Sequence, residues 1–332
     1  MKQISFAQAE HQNKEKVSRR ERFLAQMETL VPWQRLTDAL SPAYFPNAAG
    51  KRGRPPIDLE RMLRIYFLQQ WYALADEARE DAIYDSQAMR DFVGIDLAEE
   101  SVPDATTQLR FRHLLEKHAL AQRMLKEINA SLAEQGLFMR EGTIVDATIV
   151  AAAPSTKNKA KQRDPEMKQT KKGNQWYFGL KSHIGVDAVT GLTHSVVVTS
   201  ANLADVTMAG HLVREDDKRV YGDAGYLGVW KHLGEEKDTR TPGAVSPPNA
   251  APSRRWKTLP GKRCCWHSRR PRPAAAPRSS TRFMSSRTSS ATSKVRYKGL
   301  AKNQVQLFSL FGVVNLMLSH RREGRVDGAS AS

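Results

Sequence analysis

Apolar residues follow two different periods along this chain, helical in the first part and strand-like in the second. From Arg19 to Leu40, Phe23, Leu24, Met27, Leu30, Val31 and Leu36 keep roughly helical spacing with a break near Pro32, which predicts two short helices. A helix is predicted from about Asp58 to Leu74, with Leu59, Met62, Leu63, Tyr66, Phe67 and Gln70 on one side. Short helices follow over Asp76–Tyr84 and Ser86–Val93. Pro103-Asp104 opens another, carrying Leu109, Arg110, Phe111, Arg112 and Leu114, and a further helix runs from about Leu120 to Glu134 and stops at Gly136. The first 138 residues therefore read as all-helical.

Beyond that point the period shortens. Ile144–Val150, Trp176–Val186, Thr193–Thr199 and Arg219–Tyr221 are rich in Val, Ile and aromatics and are bounded by Gly, Asp and Thr, so they read as strands. A short helix, about Asp205 to Arg214, separates the third from the fourth. The pattern is that of an α/β domain, a mixed sheet with flanking helices. From about Thr241 to Ser293, Pro, Ser, Ala and Arg replace any apolar periodicity, and the expectation there is disorder. Order returns at Lys294-Val295-Arg296-Tyr297-Lys298-Gly299, followed by a helix over about Leu300–Ser319 that is apolar on nearly all sides and so belongs in a core.

Composition narrows the class. With 332 residues, 40% hydrophobic, the chain can bury the core of one large or two moderate domains. No apolar run reaches the roughly 18 residues that a membrane-spanning helix needs, and Met1-Lys2-Gln3-Ile4-Ser5 lacks the apolar core of a signal peptide. A cytoplasmic location without a membrane partner is expected. Cys264 and Cys265 are adjacent, which suits neither an ordinary mutual disulfide nor a zinc site. The formal charge of +17 attracts polyanions, nucleic acid first among them. Eleven of those charges lie between Arg254 and Arg287, within a segment free of Asp and Glu, so most of the excess is local.

Candidate chemistry rests on Asp146, in Ile144-Val145-Asp146-Ala147-Thr148-Ile149-Val150, and Asp223, in Val220-Tyr221-Gly222-Asp223-Ala224-Gly225-Tyr226. A carboxylate on a buried strand is costly unless paired, hydrogen-bonded or bound to a cation. Either aspartate alone is more simply a strand-end residue bonded to a turn. Together, on a basic chain, they suit a divalent ion assisting phosphoryl transfer. Candidate nucleic-acid contacts are Lys51, Arg52 and Arg54 on a Gly/Pro-punctuated arm, Lys171 and Lys172 before the second strand, and Lys294, Arg296 and Lys298. The arm has an equal reading as a solvated linker, and Arg110, Arg112 and His113 fit a solvated helix face. Trp176 and Tyr177 read as core rather than as base-stacking groups, and His183, His194 and His211 lack the spacing of metal ligands.

Several strings carry a resemblance. Gly53-Arg54-Pro55-Pro56, Leu68-Gln69-Gln70-Trp71-Tyr72, Tyr84-Asp85-Ser86 and Val102-Pro103-Asp104-Ala105-Thr106-Thr107 occur in that order. They are followed by Val145-Asp146-Ala147-Thr148, Ser155-Thr156-Lys157-Asn158 and Lys171-Lys172-Gly173-Asn174-Gln175-Trp176-Tyr177-Phe178-Gly179-Leu180-Lys181. Thr199-Ser200-Ala201-Asn202, Tyr221-Gly222-Asp223-Ala224-Gly225-Tyr226 and Lys294 through Asn303 complete the set. The chain resembles bacterial transposases of the insertion sequence five family over roughly residues 15–230 and 294–320. The resemblance implies a helical DNA-binding region over residues 1–138, an RNase H-like catalytic core over 139–240, a C-terminal buried helix of that core within 294–322 and a tail over 323–332. It further implies an Asp-Asp-Glu triad using magnesium, in which Asp146 matches the first acid and Asp223 the second. The implied partners are double-stranded DNA, as terminal inverted repeats and target, and further copies of the chain assembled on it at the bacterial nucleoid.

The third acid of that pattern is missing. Where the family carries a segment of the form Val-Glu-His-Pro-Phe-His-Val-Ile-Lys-Asn-Leu-Phe-Arg-His, this chain has Ser279 through Thr292. A coding sequence for the family segment, read one nucleotide later, translates to Ser279 through Thr292, with the lost Glu codon straddling Ser279 and Ser280. Residues 241–293 are accordingly read as an out-of-frame segment, and the basic run within them as its by-product. The resulting expectation is a transposase impaired by loss of one ligand, with a catalytically dead DNA-binding protein as the alternative.

Overall fold

A computed structural model describes residues 14–45, 56–139, 141–157, 159, 161–217, 219–226, 229 and 293–329. The chain splits into two compact units, Met1–Ile128 with His320–Ser332, and Asn129–Ser319.

The first unit is helical. Its elements are α1 (Arg19–Leu30), α2 (Trp33–Tyr44), α3 (Leu59–Trp71), α4 (Asp76–Asp85), α5 (Gln87–Val93), α6 (Ala105–Lys117) and most of α7 (Leu120–Glu134). Polar caps set several starts. Ser18 accepts from the Glu21 backbone while its own N–H donates to the Glu21 carboxylate, Asp58 accepts from the Arg61 N–H at 3.1 Å, and Asp104 from the Thr107 N–H at 2.7 Å. Helix α3 is buried nearly all round, from Leu59 to Trp71, and forms the unit's centre. Trp33, Phe67, Trp71 and Phe92 pack about it edge to face or tilted, and the Arg64 guanidinium covers Trp33 at 4.5 Å and Phe92 at 5.2 Å. Arg112 is not part of a solvated face. It is half-buried and forms a two-pronged ion pair with Asp76 of α4, whereas Arg110 and His113 are exposed.

Among the described residues the second unit is built on a five-stranded mixed sheet ordered β2-β3-β1-β5, with β4 also paired to β3. The strands are β1 (Thr143–Ala151), β2 (Lys168–Lys172), β3 (Gln175–Asp187), β4 (Thr193–Ser200) and β5 (Val220–Tyr221). Strand β3 is antiparallel to β1, β2 and β4, and β5 runs parallel to β1. Strand β2, Lys-Gln-Thr-Lys-Lys, has no apolar signal. It exists because a two-residue loop at Gly173-Asn174, with Gly173 at φ +62°, folds it onto β3. The helix expected over Asp205–Arg214 is a 3₁₀ turn (Asp205–Met208) followed by the single-turn α8 (Ala209–Leu212), and the fourth expected strand shortens to Val220–Tyr221.

Val145, Ala209, Leu212, Val220, Tyr226 and Val229 form one core cluster of this unit. Helix α9 (Leu300–Ala329) extends past the expected end at Ser319 and buries Leu307, Phe308, Leu310, Phe311, Val313, Val314 and Leu316. Within it Asn315 is fully buried. Its side chain accepts from the Thr193 N–H at 2.9 Å and donates to the Thr193 carbonyl and the Asn129 side chain, both at 2.7 Å. No helix among the described residues is long and apolar enough to cross a membrane.

Candidate active site

Two adjacent parallel strands bring the sequence-predicted aspartates together. Thr143 pairs with Val220 and Ile144 with Tyr221, so Asp146 and Asp223 each lie three residues past the same pair. Asp146 remains inside β1, opposite Ile184, whereas Asp223 lies just beyond β5. Both carboxylates are held locally, Asp146 by the Ala147 N–H at 2.8 Å and Asp223 by the Gly225 N–H at 2.9 Å.

Electrostatics links them. Burial pushes the Asp146 carboxyl above the usual carboxylate range, the Ala147 N–H and the Lys172 ammonium draw it back, and the negative charges of Asp223 and Asp205 push it further up. Asp205, absent from the sequence-predicted set, is thus a third acid of this neighbourhood. An ideal Cβ on Gly225 lies 3.1 Å from Asp223 Oδ1 and 3.5 Å from Asp205 Oδ2, which places both carboxylates over one glycine. The Tyr226 phenol is raised by burial and then by Asp205, Asp146 and Asp223, so it senses all three. That ring is 1% exposed and its hydroxyl has no hydrogen-bond partner among the described residues.

Asp205 is anchored from β3. Lys181 Nζ lies 2.8 Å from Asp205 Oδ1, an ion pair without hydrogen-bond alignment, and donates to the Leu203 carbonyl at 2.7 Å. His183, fully buried, bonds Thr199 Oγ1 through Nε2 at 2.8 Å and turns Nδ1 toward Asp205 at 4.0 Å. Burial lowers this ring to about 4, so it stays neutral at pH 7. His194 plays a separate structural part, bonding Thr143 Oγ1 and Ser195 Oγ, both at 2.9 Å. The only sequence signal for Asp205 was its position shortly after β4, and its partner Lys181 lies on a different strand.

A hard divalent cation seeks oxygen ligands, and Asp146 with Asp223 supply them where negative charge is undercompensated. Among the described residues no group of three or more His, Cys, Asp or Glu side chains closes tightly enough to hold a metal ion. The donor chemistry therefore fits a cation held by two protein carboxylates, with further oxygen ligands from elsewhere.

The basic candidates fall in three places. Lys171 and Lys172 are exposed on β2, and Lys172 is near enough to Asp146 to favour its ionised form. Lys294 forms a parallel bridge to Ala151 at the end of β1, Lys298 is exposed, and Arg296 is half-buried with its guanidinium 5.7 Å from the Tyr297 ring. Asn303 organises this turn by accepting from the Arg296 and Tyr297 N–H groups at 3.1 and 3.2 Å. Lys51, Arg52 and Arg54 lie outside the described residues, as does all but the last residue of the segment 241–293 that was expected to be out of frame.

Comparison with known families gives two matches. Residues 11–114 match the family described as Transposase domain (DUF772), and residues 137–244 match the Transposase DDE domain. No solved structure matches the chain. The DDE domain implies an RNase H-like fold for the sheet unit, a family generally dependent on divalent metal and acting on DNA. With both domains in tandem on one chain, and two aspartates of the second converging beside β1 and β5, the chain carries the two transposase domains of an insertion-sequence transposase.

Proposed function

We propose that Asp146 and Asp223 are the first two acids of the catalytic centre and hold magnesium or manganese for phosphodiester cleavage and strand transfer at the ends of an insertion sequence. The observation that carries this reading is their common position past one parallel strand pair, with Asp146 raised by burial and by the Asp223 charge. When bound, a divalent cation there would neutralise this pair and stabilise charge on the oxygens of an in-line displacement. The chain's own residues set the geometry. The Ala147 and Gly225 N–H groups orient the two carboxylates, Lys172 adds positive charge, and Lys181 keeps the Asp205 carboxylate in place.

The helical region, residues 1–138, is assigned to the terminal inverted repeats of double-stranded DNA, with the catalytic fold over 139–240 and 294–322. Lys171, Lys172, Lys294, Arg296 and Lys298 are assigned to phosphate contacts, with Lys51, Arg52 and Arg54 as a DNA-following arm. The working form is a homo-oligomer on DNA in the bacterial cytoplasm. The order of the motifs supports placement in the insertion sequence five family.

Catalysis is impaired in this product, because residues 241–293 are an out-of-frame translation that removes the Glu. Two observations support that reading: the DDE match stops at residue 244, and acids are absent from Thr241 through Ser293. Sequencing the gene tests it, since absence of a one-nucleotide shift that restores a Glu-containing helix there would refute it. The enzymatic reading is tested by incubating the protein with labelled element-end DNA and Mg2+ or Mn2+. Weak nicking that disappears in Asp146→Asn supports it. A specific gel shift without nicking supports the alternative of a catalytically dead transposase that binds element ends.

A further inference from the structure

The β2–β3 hairpin has the makings of a second nucleic-acid element. The ladders of β3 with β1 and β4 stop at Gly179 and Leu180, and the Phe178 carbonyl still accepts from the Ala152 N–H at 2.6 Å, so Gln175 to Tyr177 pair with β2 alone. The resulting arm is about 10 Å long at ~3.4 Å per residue. Lys171 lies opposite Trp176 and Gln169 opposite Phe178, which puts these four side chains on one face. Trp176 is 65% exposed, the most exposed large apolar side chain among the described residues, against the expectation of a core position. The Arg163 guanidinium lies 5.5 Å from the Phe178 ring, extending the alternation of cation and aromatic.

The charge around this face has one sign. Between Lys157 and Lys172 there are seven exposed Lys and Arg side chains and only two acids, Asp164 and Glu166. Both acids are occupied, accepting from the backbone N–H groups of Gly299 and Leu300 at the start of α9. Lys168, Lys171 and Lys172 have no ion pair among the described residues, and the Lys172 charge is felt at Asp146. A like-charged second copy of the arm would be repelled from such a surface, whereas a polyanion is attracted. An exposed indole adds something that phosphate contacts do not use, a flat apolar face matching that of a base. In a duplex those base faces are covered by stacking, so the complementary ligand is a strand with unstacked bases.

We infer that Trp176, with Lys171 beside it on the same face, stacks on an unpaired base of the DNA strand led toward Asp146 and Asp223. This rests on the assignment of DNA as substrate, but requires no cleavage. The test is a titration of the full-length protein, with chelator present, using an oligothymidylate single strand, a blunt duplex of the same length and heparin, a polyanion without bases. Trp176→Ala weakens single-strand binding about 5- to 100-fold, while heparin binding stays within about twofold and Trp176→Phe recovers most of the loss. Lys171→Ala with Lys172→Ala weakens all three ligands and flattens the salt dependence. Equal loss for single strand and heparin in Trp176→Ala, or no loss for either, overturns the inference. So does a Trp176→Ala protein whose only change is lost self-association, which would make the face a contact between copies. Because chelator removes every metal-dependent step, failure of the cleavage reading leaves these titrations unchanged, and absent single-strand selectivity leaves the cleavage reading standing.

Discussion

Lowering the pH from 7 to 5 removes stability through one buried and one half-buried imidazole. His183 and His194 are each lowered from 6.5 to about 4, mainly by burial, with Lys181 adding to the effect at His183 and Arg214 at His194. Because the folded values lie below the unfolded one, the unfolded chain binds more protons between pH 6.5 and pH 4, and stability falls as pH falls through that window. For the fully enclosed His183, linkage from an unfolded pKa of about 6.5 to a folded one of about 4 gives a loss of about 2 kcal/mol at pH 5. His194 is part exposed, so solvent screening leaves it a smaller share, for a joint loss of about 3 kcal/mol. At about 2–4 °C per kcal/mol for a unit of this size, Tm drops by about 6–12 °C. The opposing contribution of Asp146, whose raised carboxyl favours the protonated folded state as pH falls, makes a comparison with a variant necessary. His183→Gln keeps a hydrogen-bonding group beside Thr199 but does not titrate, so its loss of stability over the same interval shrinks by about 2 kcal/mol. Thermal melts of parent and variant at pH 7, 6 and 5 read this directly. Identical pH slopes for parent and variant would refute the assignment of a buried neutral ring.

Three other outcomes follow from the geometry. Without divalent metal, Asp146→Asn melts at a higher temperature than the parent, because it removes a desolvated charge that faces Asp223 and Asp205, and added Mg2+ narrows the gap; a lower-melting variant would contradict this. Gly179→Ala drives a methyl group onto the Val150 carbonyl oxygen, within 3.1 Å of Ala151 Cα, so soluble yield collapses while Gly173→Ala, with open space around its Cβ, strains only the turn. Asn315→Ala leaves the Thr193 N–H and the Asn129 side chain without this partner inside the core, at a cost of about 2–4 kcal/mol, read by chemical denaturation of the parent and variant.

Local signals carried most of the helical unit. Its apolar spacing runs through Leu59, Met62, Leu63 and Tyr66, and caps such as Ser18, Asp58 and Asp104 complete their hydrogen bonds within three residues, so short-range chemistry sufficed. The apolar strands β1, β3 and β4 were legible for the same reason. Strand β2 was not, because five polar residues become a strand only by pairing with β3. Burial was also beyond reach where it depends on what else packs nearby. Trp176 reads as core by residue type, yet its strand outruns both neighbours, while Arg112 reads as surface, yet Asp76 of another helix holds it half-buried.

The same division holds at the site. The sequence by itself determined that one aspartate sits on a strand and a second just past another, on a basic chain, and its motif strings pointed to a transposase. Only the tertiary structure decided that β1 and β5 pair in parallel with Thr143 beside Val220, which sets Asp146 and Asp223 in matching positions, and that Asp205 and Tyr226 join them. Strand character arises from neighbours along the chain, whereas register and charge coupling arise from contacts between segments far apart in sequence, which no local pattern encodes.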